Sequence, residues 1–443
     1  MTEVKVIGAG LAGCEAAWRL AESGINVELF EMKPQKFTPA HKYKGLSELV
    51  CSNSLKAERL ESAAGLLKEE MRRLGSLSMQ AAEASRVPAG GALAVNREQF
   101  SDFITEKIRS HPMIKLIEGE VTDIPDGYVI IATGPLTSDA LSESINRLVG
   151  SEYLYFHDAA APIVTAESLD RSLVFGASRY GRGGEDYLNC PMNKEEYLAF
   201  YNELISAETA PLHDFDEAGN YKVYEGCMPI EALAKRGEDC MRFGPLKPVG
   251  LTDPRTGRRP YAVVQLRLEN TAGTLYNLVG FQTNLKFGEQ KRVFSMIPGL
   301  QNAEFMRYGV MHRNTYLNSP KLLDRHFCLK SDPRIYFAGQ MTGVEGYIES
   351  AASGIYAAMS LARRLKGESE ITLPDDTMLG ALAKYVETGS PSGFQPMGAN
   401  MGILPELPEK IRGKQEKYAA LAERSLRSLE DALTGGNRNE NNR

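Results

Sequence analysis

The chain has 443 residues, 43% hydrophobic and 24% charged, enough for two or three domains around a large core and too balanced for a disordered or fibrous protein. Its six cysteines (Cys14, Cys51, Cys190, Cys227, Cys240 and Cys328) include no Cys-x-x-Cys pair, which excludes zinc or dithiol chemistry of that spacing, and no metal site is expected. No apolar run reaches the ~18 residues of a membrane span, and the formal charge of −6 confines any nucleic-acid binding to local basic patches.

Val4 to Ile7 reads as a short apolar strand, followed by Gly8-Ala9-Gly10-Leu11-Ala12-Gly13 and a helix from Cys14 to Ser23. Gly24 stops the helix, and Asn26 to Glu31 reads as a second buried strand, completing a βαβ unit. A strand so close to Met1 leaves no room for a secretory leader. Together with the scattered thiols, this predicts a cytoplasmic protein.

Helical spacing follows around Ala63 to Leu74. Asn96 to Arg109 sets Phe100, Phe103, Ile104 and Ile108 on one helical face. Ile114 to Ile117 and Tyr128 to Thr133 read as strands, the latter running into Gly134-Pro135. From about 136 to 330 the pattern changes to short strands and turns. Arg334 to Ala338 then restores a buried strand, followed by Gly339 and a helix from about Ser350 to Leu365. The expected organisation is an α/β nucleotide-binding domain in two parts, 1–135 and 331–370, interrupted by an α+β insertion, 136–330. A mostly helical segment, 371–443, ends in a tail expected to fray from Gly435.

The triplet Gly8-x-Gly10-x-x-Gly13 lies between a strand and a helix. Gly8 permits the tight turn, Gly10 lets backbone approach a pyrophosphate, and Gly13 allows close helix–strand packing. Glu31 ends the second strand, where a carboxylate accepts hydrogen bonds from a ribose and disfavours a 2′-phosphate. Together they predict a dinucleotide site.

Two later segments select FAD. Tyr128 to Gly134 resembles the Ala-Thr-Gly strand end of the two-dinucleotide-binding flavoproteins, and Arg334 to Gln340 resembles their final motif, with Gln340 where an Asp is usual. The implied fold is the Rossmann-like one of that class. Gly176 to Gly184 is glycine-rich but leads into no apolar helix, so a separate NAD(P)H-binding Rossmann domain is not expected.

Gly8 to Ala17, Cys51-Ser-Asn-Ser-Leu-Lys56, Glu225-Gly-Cys227-Met-Pro-Ile-Glu231 and Gly339 to Ser350 together resemble the folate- and FAD-dependent tRNA uracil-5 methyltransferases. The resemblance implies formation of 5-methyluridine at T-loop position 54 of tRNA. The carbon would come from 5,10-methylenetetrahydrofolate and the electrons from NAD(P)H by way of FAD. It implies that Cys227 attacks uracil and that Cys51 lies near the flavin, two roles open to exchange. Tyr347 is a candidate to stack a flat ring, and Lys286, Lys291 and Arg292 are candidates to meet tRNA phosphates or the folate tail. A disulfide reductase is excluded because Lys56 stands where its second cysteine would be. The remaining alternatives are a flavoprotein acting on the tRNA wobble uridine and a non-catalytic FAD-containing RNA-binding factor.

Overall fold

The computed structural model describes residues 3–38, 40–150, 153–159, 161–210, 228–270, 272–309, 311–391 and 394–438. The opening strand Glu3–Ile7 pairs in parallel with Asn26–Glu31 on one side and with Tyr128–Ile131 on the other. Asp332–Phe337 then pairs in parallel with Tyr128–Ile131, Ile335 opposite Val129, so the chain returns to its first sheet after a long excursion. Ile114–Glu118 and Cys328–Leu329 complete a six-stranded sheet at its two edges. The central strands bury both faces, with Val4, Val6, Val129, Ile130 and Ile131 fully inside, as a parallel sheet covered by helices requires.

The helix between the first two strands runs over Leu11–Glu22, three residues earlier than its apolar spacing from Cys14 suggests. Leu11, Ala12 and Gly13 all accept helical backbone, and the turn at Gly8 and Gly10 leaves no other place for the chain to go. The helix that follows the last strand, Tyr347–Leu365, crosses it closely: a Cβ at Gly354 would lie 2.1 Å from the carbonyl oxygen of Ala12.

The excursion forms a second sheet of six antiparallel strands with its own apolar core. The long strand Ala262–Leu268 lies near its centre, and Phe305–Arg307 lies at one edge. A two-stranded ribbon, Tyr153–Ala159 against Met311–Leu317, carries the chain out and back. Helix Asp139–Val149 and residues 317–329 bury Leu141, Ile145, Leu317 and Phe327 in the first core.

The C-terminal region is less helical than its composition suggests. Helices Met378–Thr388 and Lys414–Arg438 are separated by a stretch with only a short 3-10 turn, Met401–Ile403, because Pro391, Pro396, Pro405 and Pro408 cannot continue a helix. The last helix runs through Gly435 and Gly436 to Arg438, past the point where fraying is expected.

Both helices are tied to the first domain by one buried carboxylate. Glu70, on helix Ala63–Arg73, accepts the N–H groups of Met378 (2.7 Å) and Leu379 (2.9 Å) and the hydroxyl of Ser425 (2.5 Å). Burial pushes its carboxyl from 4.5 up to about 7, against those three hydrogen bonds. The folded state therefore holds this proton more tightly than the unfolded chain. Glu70's contribution is greatest below about pH 4.5 and is lost as pH rises towards 7. Denaturation of wild type and Glu70→Gln between pH 5 and 7.5 should show the wild type losing about 2–3 kcal/mol more than the variant over that window. Parallel curves would show that Glu70 does not titrate there.

Candidate active site

The strands Glu3–Ile7, Tyr128–Ile131 and Asp332–Phe337 end at a common cleft of about 1160 Å³, its open mouth included. Gly8, Ala9, Gly10, Leu11 and Ala12 form one wall, and Gly339, Gln340 and Tyr347 form another. The N-termini of helices Leu11–Glu22 and Tyr347–Leu365 both reach it, presenting the positive ends of two helix dipoles.

The three glycines of the opening turn do different work. Gly8 has φ +94°, and a Cβ there would lie 2.7 Å from the Ala132 carbonyl oxygen. At Gly13 a Cβ would lie 1.8 Å from the carbonyl oxygen of Gly8; this residue does not line the cleft but lets the helix lie on the turn. Gly10 lines the cleft, and a Cβ there would meet nothing within 4 Å. The helix behind it has no side-chain cap and no acidic residue in its first turn, so its leading amides are free of side-chain partners. An unclaimed amide cluster facing open space suits a pyrophosphate, and the residues fit an FAD.

Glu31 lines the cleft. Its two oxygens accept the N–H groups of Ala9 (2.9 Å) and Lys33 (3.0 Å), which fixes the carboxylate and leaves lone pairs for a ligand. Gly134, at φ +69°, lines the same space. Gln340 gives one amide N–H to Glu345 (2.7 Å), keeping its carbonyl and second N–H. The structure adds His41, Ser47 and Lys33, from the irregular segment after the second strand, to the cleft wall. His41 lies 2.6 Å from the Thr38 hydroxyl, and burial, then the neighbouring Lys33 charge, holds its pKa below the usual value. Nothing in the periodicity of that segment marks these residues.

Cys51 is half-buried in a bend before strand Ser54–Ala57. Its neighbour Val50 and its partner Tyr347 are in the cleft wall. The Tyr347 hydroxyl oxygen accepts the N–H groups of Cys51 (2.7 Å) and Ser52 (3.3 Å) and lies 2.9 Å from the Cys51 sulfur. A phenol has two acceptor pairs and one proton. With both pairs taken by backbone, its proton is left for the sulfur. Burial, and then the Cys51 charge, push the Tyr347 hydroxyl well above its ordinary pKa, so it remains a donor.

Three arginines grip the same loop. Arg97 donates to the carbonyls of Leu49 (2.8 Å) and Val50 (3.1 Å), and Arg307 donates to Val50 as well. Arg267 gives Nε to Asn53 Oδ1 and a terminal nitrogen to Ser52 Oγ, both at 2.9 Å. Asn53, fully buried, returns a hydrogen bond to the Leu268 carbonyl (2.8 Å). One carboxylate, Glu269, pairs with Arg97. Burial holds Arg267 and Arg307 below their ordinary pKa. Arg267 and Arg307 come from strands of the second sheet and Glu269 directly follows one, so the insertion holds a loop of the first domain in place.

Lys56 closes the arrangement from the other side through an ion pair with buried Glu349 (2.8 Å), joining the Cys51 motif to the Gly339–Ser350 motif. Cys227 lies outside the described residues. Cys14 and Cys190 are buried thiols pushed by desolvation up to about 12, as expected of packing residues. Lys286 and Arg292 are paired with Glu208 (2.5 Å) and Glu289 (2.8 Å), so their charge is largely neutralised locally. Among the described residues no group of three or more His, Cys, Asp or Glu could hold a metal ion, and no helix is long and apolar enough to cross a membrane.

Residues 3–369 match the family described as glucose inhibited division protein A. The chain is 58% identical over 432 residues to methylenetetrahydrofolate--tRNA-(uracil-5-)-methyltransferase TrmFO of Acetivibrio thermocellus, covering 97% of this chain and 98% of that one. It is 57% identical over 428 residues to the protein of the same name from Brevibacillus brevis, covering 97% of each. Among solved structures, GidA of Aquifex aeolicus superposes with a TM-score of 0.69 at 16% identity, over 96% of this chain and 76% of that one. That likeness concerns the fold.

Proposed function

The chain belongs to the glucose inhibited division protein A family and, within it, to the methylenetetrahydrofolate--tRNA-(uracil-5-)-methyltransferases, and from that premise we propose that it makes 5-methyluridine at T-loop position 54 of tRNA. Its carbon donor is 5,10-methylenetetrahydrofolate, its reductant NAD(P)H, and its place of work the cytoplasm. The reaction balances as uracil, methylenetetrahydrofolate, NAD(P)H and a proton giving 5-methyluracil, tetrahydrofolate and NAD(P)⁺. FAD bound in the cleft supplies the redox chemistry by which a methylene becomes a methyl group.

The residues divide the work. Gly8 to Ala12 hold the pyrophosphate on helix amides, Glu31 takes the ribose, and Gly134, Gly339 and Gln340 face the rest of the cofactor. Cys227 adds to C6 of uracil and so raises electron density at C5. Cys51, hydrogen-bonded to Tyr347, serves the one-carbon transfer. The observation that carries this reading is the Cys51 sulfur held 2.9 Å from a tyrosine that is itself a wall of the dinucleotide cleft.

The test is to incubate the yellow protein with unmodified tRNA, methylenetetrahydrofolate and NADPH and to analyse the RNA for 5-methyluridine. S-adenosylmethionine serves as the control donor. Product is expected with the folate alone. Cys227→Ala should abolish product while keeping colour and tRNA binding, which separates a catalyst from an RNA-binding factor. Product appearing only with S-adenosylmethionine would end the folate reading.

A further inference from the structure

The glycine-rich segment from Gly176 to Gly184 has no part in the cleft, yet it contains an unusual residue. Tyr180 has φ +59°, one of four non-glycine residues with positive φ among those described, and is 59% exposed. A tyrosine in that conformation costs about 1 kcal/mol or more, and an exposed ring recovers little of it by burial. The strain is imposed from below. The Tyr180 N–H donates to the Gly250 carbonyl (3.0 Å), and its ring packs on Gly250 so closely that a Cβ there would lie 3.0 Å from ring atoms. Arg179 locks the loop by donating to the carbonyls of Lys247 and Val249 and to Gln265 Oε1 (2.8 Å). The fold thus holds an aromatic ring outward, with the Arg182 guanidinium 5.8 Å from its centroid.

The loop's position gives this a purpose. Gln265 and Arg267 are two apart on one strand and so share a face of the second sheet, about 7 Å from one another. Gln265 anchors the Tyr180 loop, and Arg267 anchors the Cys51 loop. Around the ring Arg182 and Lys247 are exposed and Val249 is 43% exposed; Arg182 and Arg59 line one groove, whose acid, Glu58, is paired with Arg72 and Arg86, and Glu185 is exposed in the same loop. By contrast Lys286 and Arg292, basic in sequence, are paired with acids.

Resting on the RNA-methylation reading, we propose that Tyr180 and Arg182 form a stacking platform for an unpaired base of the tRNA substrate, with Arg59 and Lys247 meeting its phosphates. With the Arg182 guanidinium over the Tyr180 ring, an unpaired base can stack on either planar group. Stacking of this kind is sequence-tolerant and insensitive to salt, whereas phosphate contacts weaken as salt rises.

The experiment measures affinity of the FAD-loaded protein for labelled unmodified tRNA at several salt concentrations, with flavin absorbance as the check on folding. Tyr180→Ala should weaken binding about ten-fold at every salt concentration, and Tyr180→Phe should restore it. Lys247→Gln should weaken binding and flatten the salt dependence, and Lys286→Gln should change neither. Tyr180→Ala binding like wild type, with flavin retained, overturns the platform alone. A wild type that does not bind tRNA overturns the RNA reading and the platform with it.

Discussion

Gly10→Val is expected to give a folded, colourless protein. At Gly10 the backbone has φ −75°, which valine adopts without strain, and a Cβ there meets no protein atom within 4 Å. The substitution therefore costs the apoprotein little. It fills the space in front of the Leu11–Glu22 amides, where the pyrophosphate would come, and a misfit of about 3 kcal/mol there weakens FAD binding by at least ~100-fold. Gly13→Val puts its Cβ 1.8 Å from the Gly8 carbonyl oxygen, so it should disrupt the fold itself. Absorbance of the purified proteins, flavin titration and thermal melts separate the two results. A yellow Gly10→Val protein with wild-type flavin affinity would mean that the pyrophosphate does not sit at this turn.

Arg267→Met should cost at least ~100-fold in methylation rate while leaving FAD bound. The side chain is buried and holds both Ser52 and Asn53, so its removal orphans the Asn53 Oδ1 and leaves Ser52 Oγ only the Ser54 N–H. Breaking a buried charged contact of this kind costs about 3 kcal/mol. Arg267→Lys should recover only part of the loss, because an ammonium cannot reproduce two bonds from one planar fork. Alkylation of Cys51 by iodoacetamide gives a second reading: a loop released from Arg267 should open more often and raise the rate. Methylation at the wild-type rate in that variant would remove the grip on Cys51 from the mechanism.

These two sites differ in how far they could be read from the chain. The glycine turn, the strand before it, the helix after it and Glu31 lie within about thirty residues. Their chemistry is backbone chemistry: a positive φ at Gly8, a close contact at Gly13 and an uncapped helix end at Gly10. Such constraints select glycine whatever the rest of the protein does, so spacing alone reveals them. Tyr347, a candidate from its motif to stack a flat ring, lines the cleft, and its hydroxyl bonds the Cys51 loop, a pairing 296 residues apart that no local pattern shows.

Strand periodicity and glycine geometry are local properties, so a dinucleotide-binding α/β domain that starts near residue 3 and resumes after a long excursion is legible in the chain. The surroundings of Cys51 come from the folded arrangement alone. Arg97, Arg267, Glu269 and Arg307 come from a helix start and from strands of a different sheet, and they meet at one loop. In the chain a buried arginine has the same neighbours as a solvated one. What distinguishes it is a partner brought from a hundred or more residues away, and long-range pairing of that kind leaves no period to read.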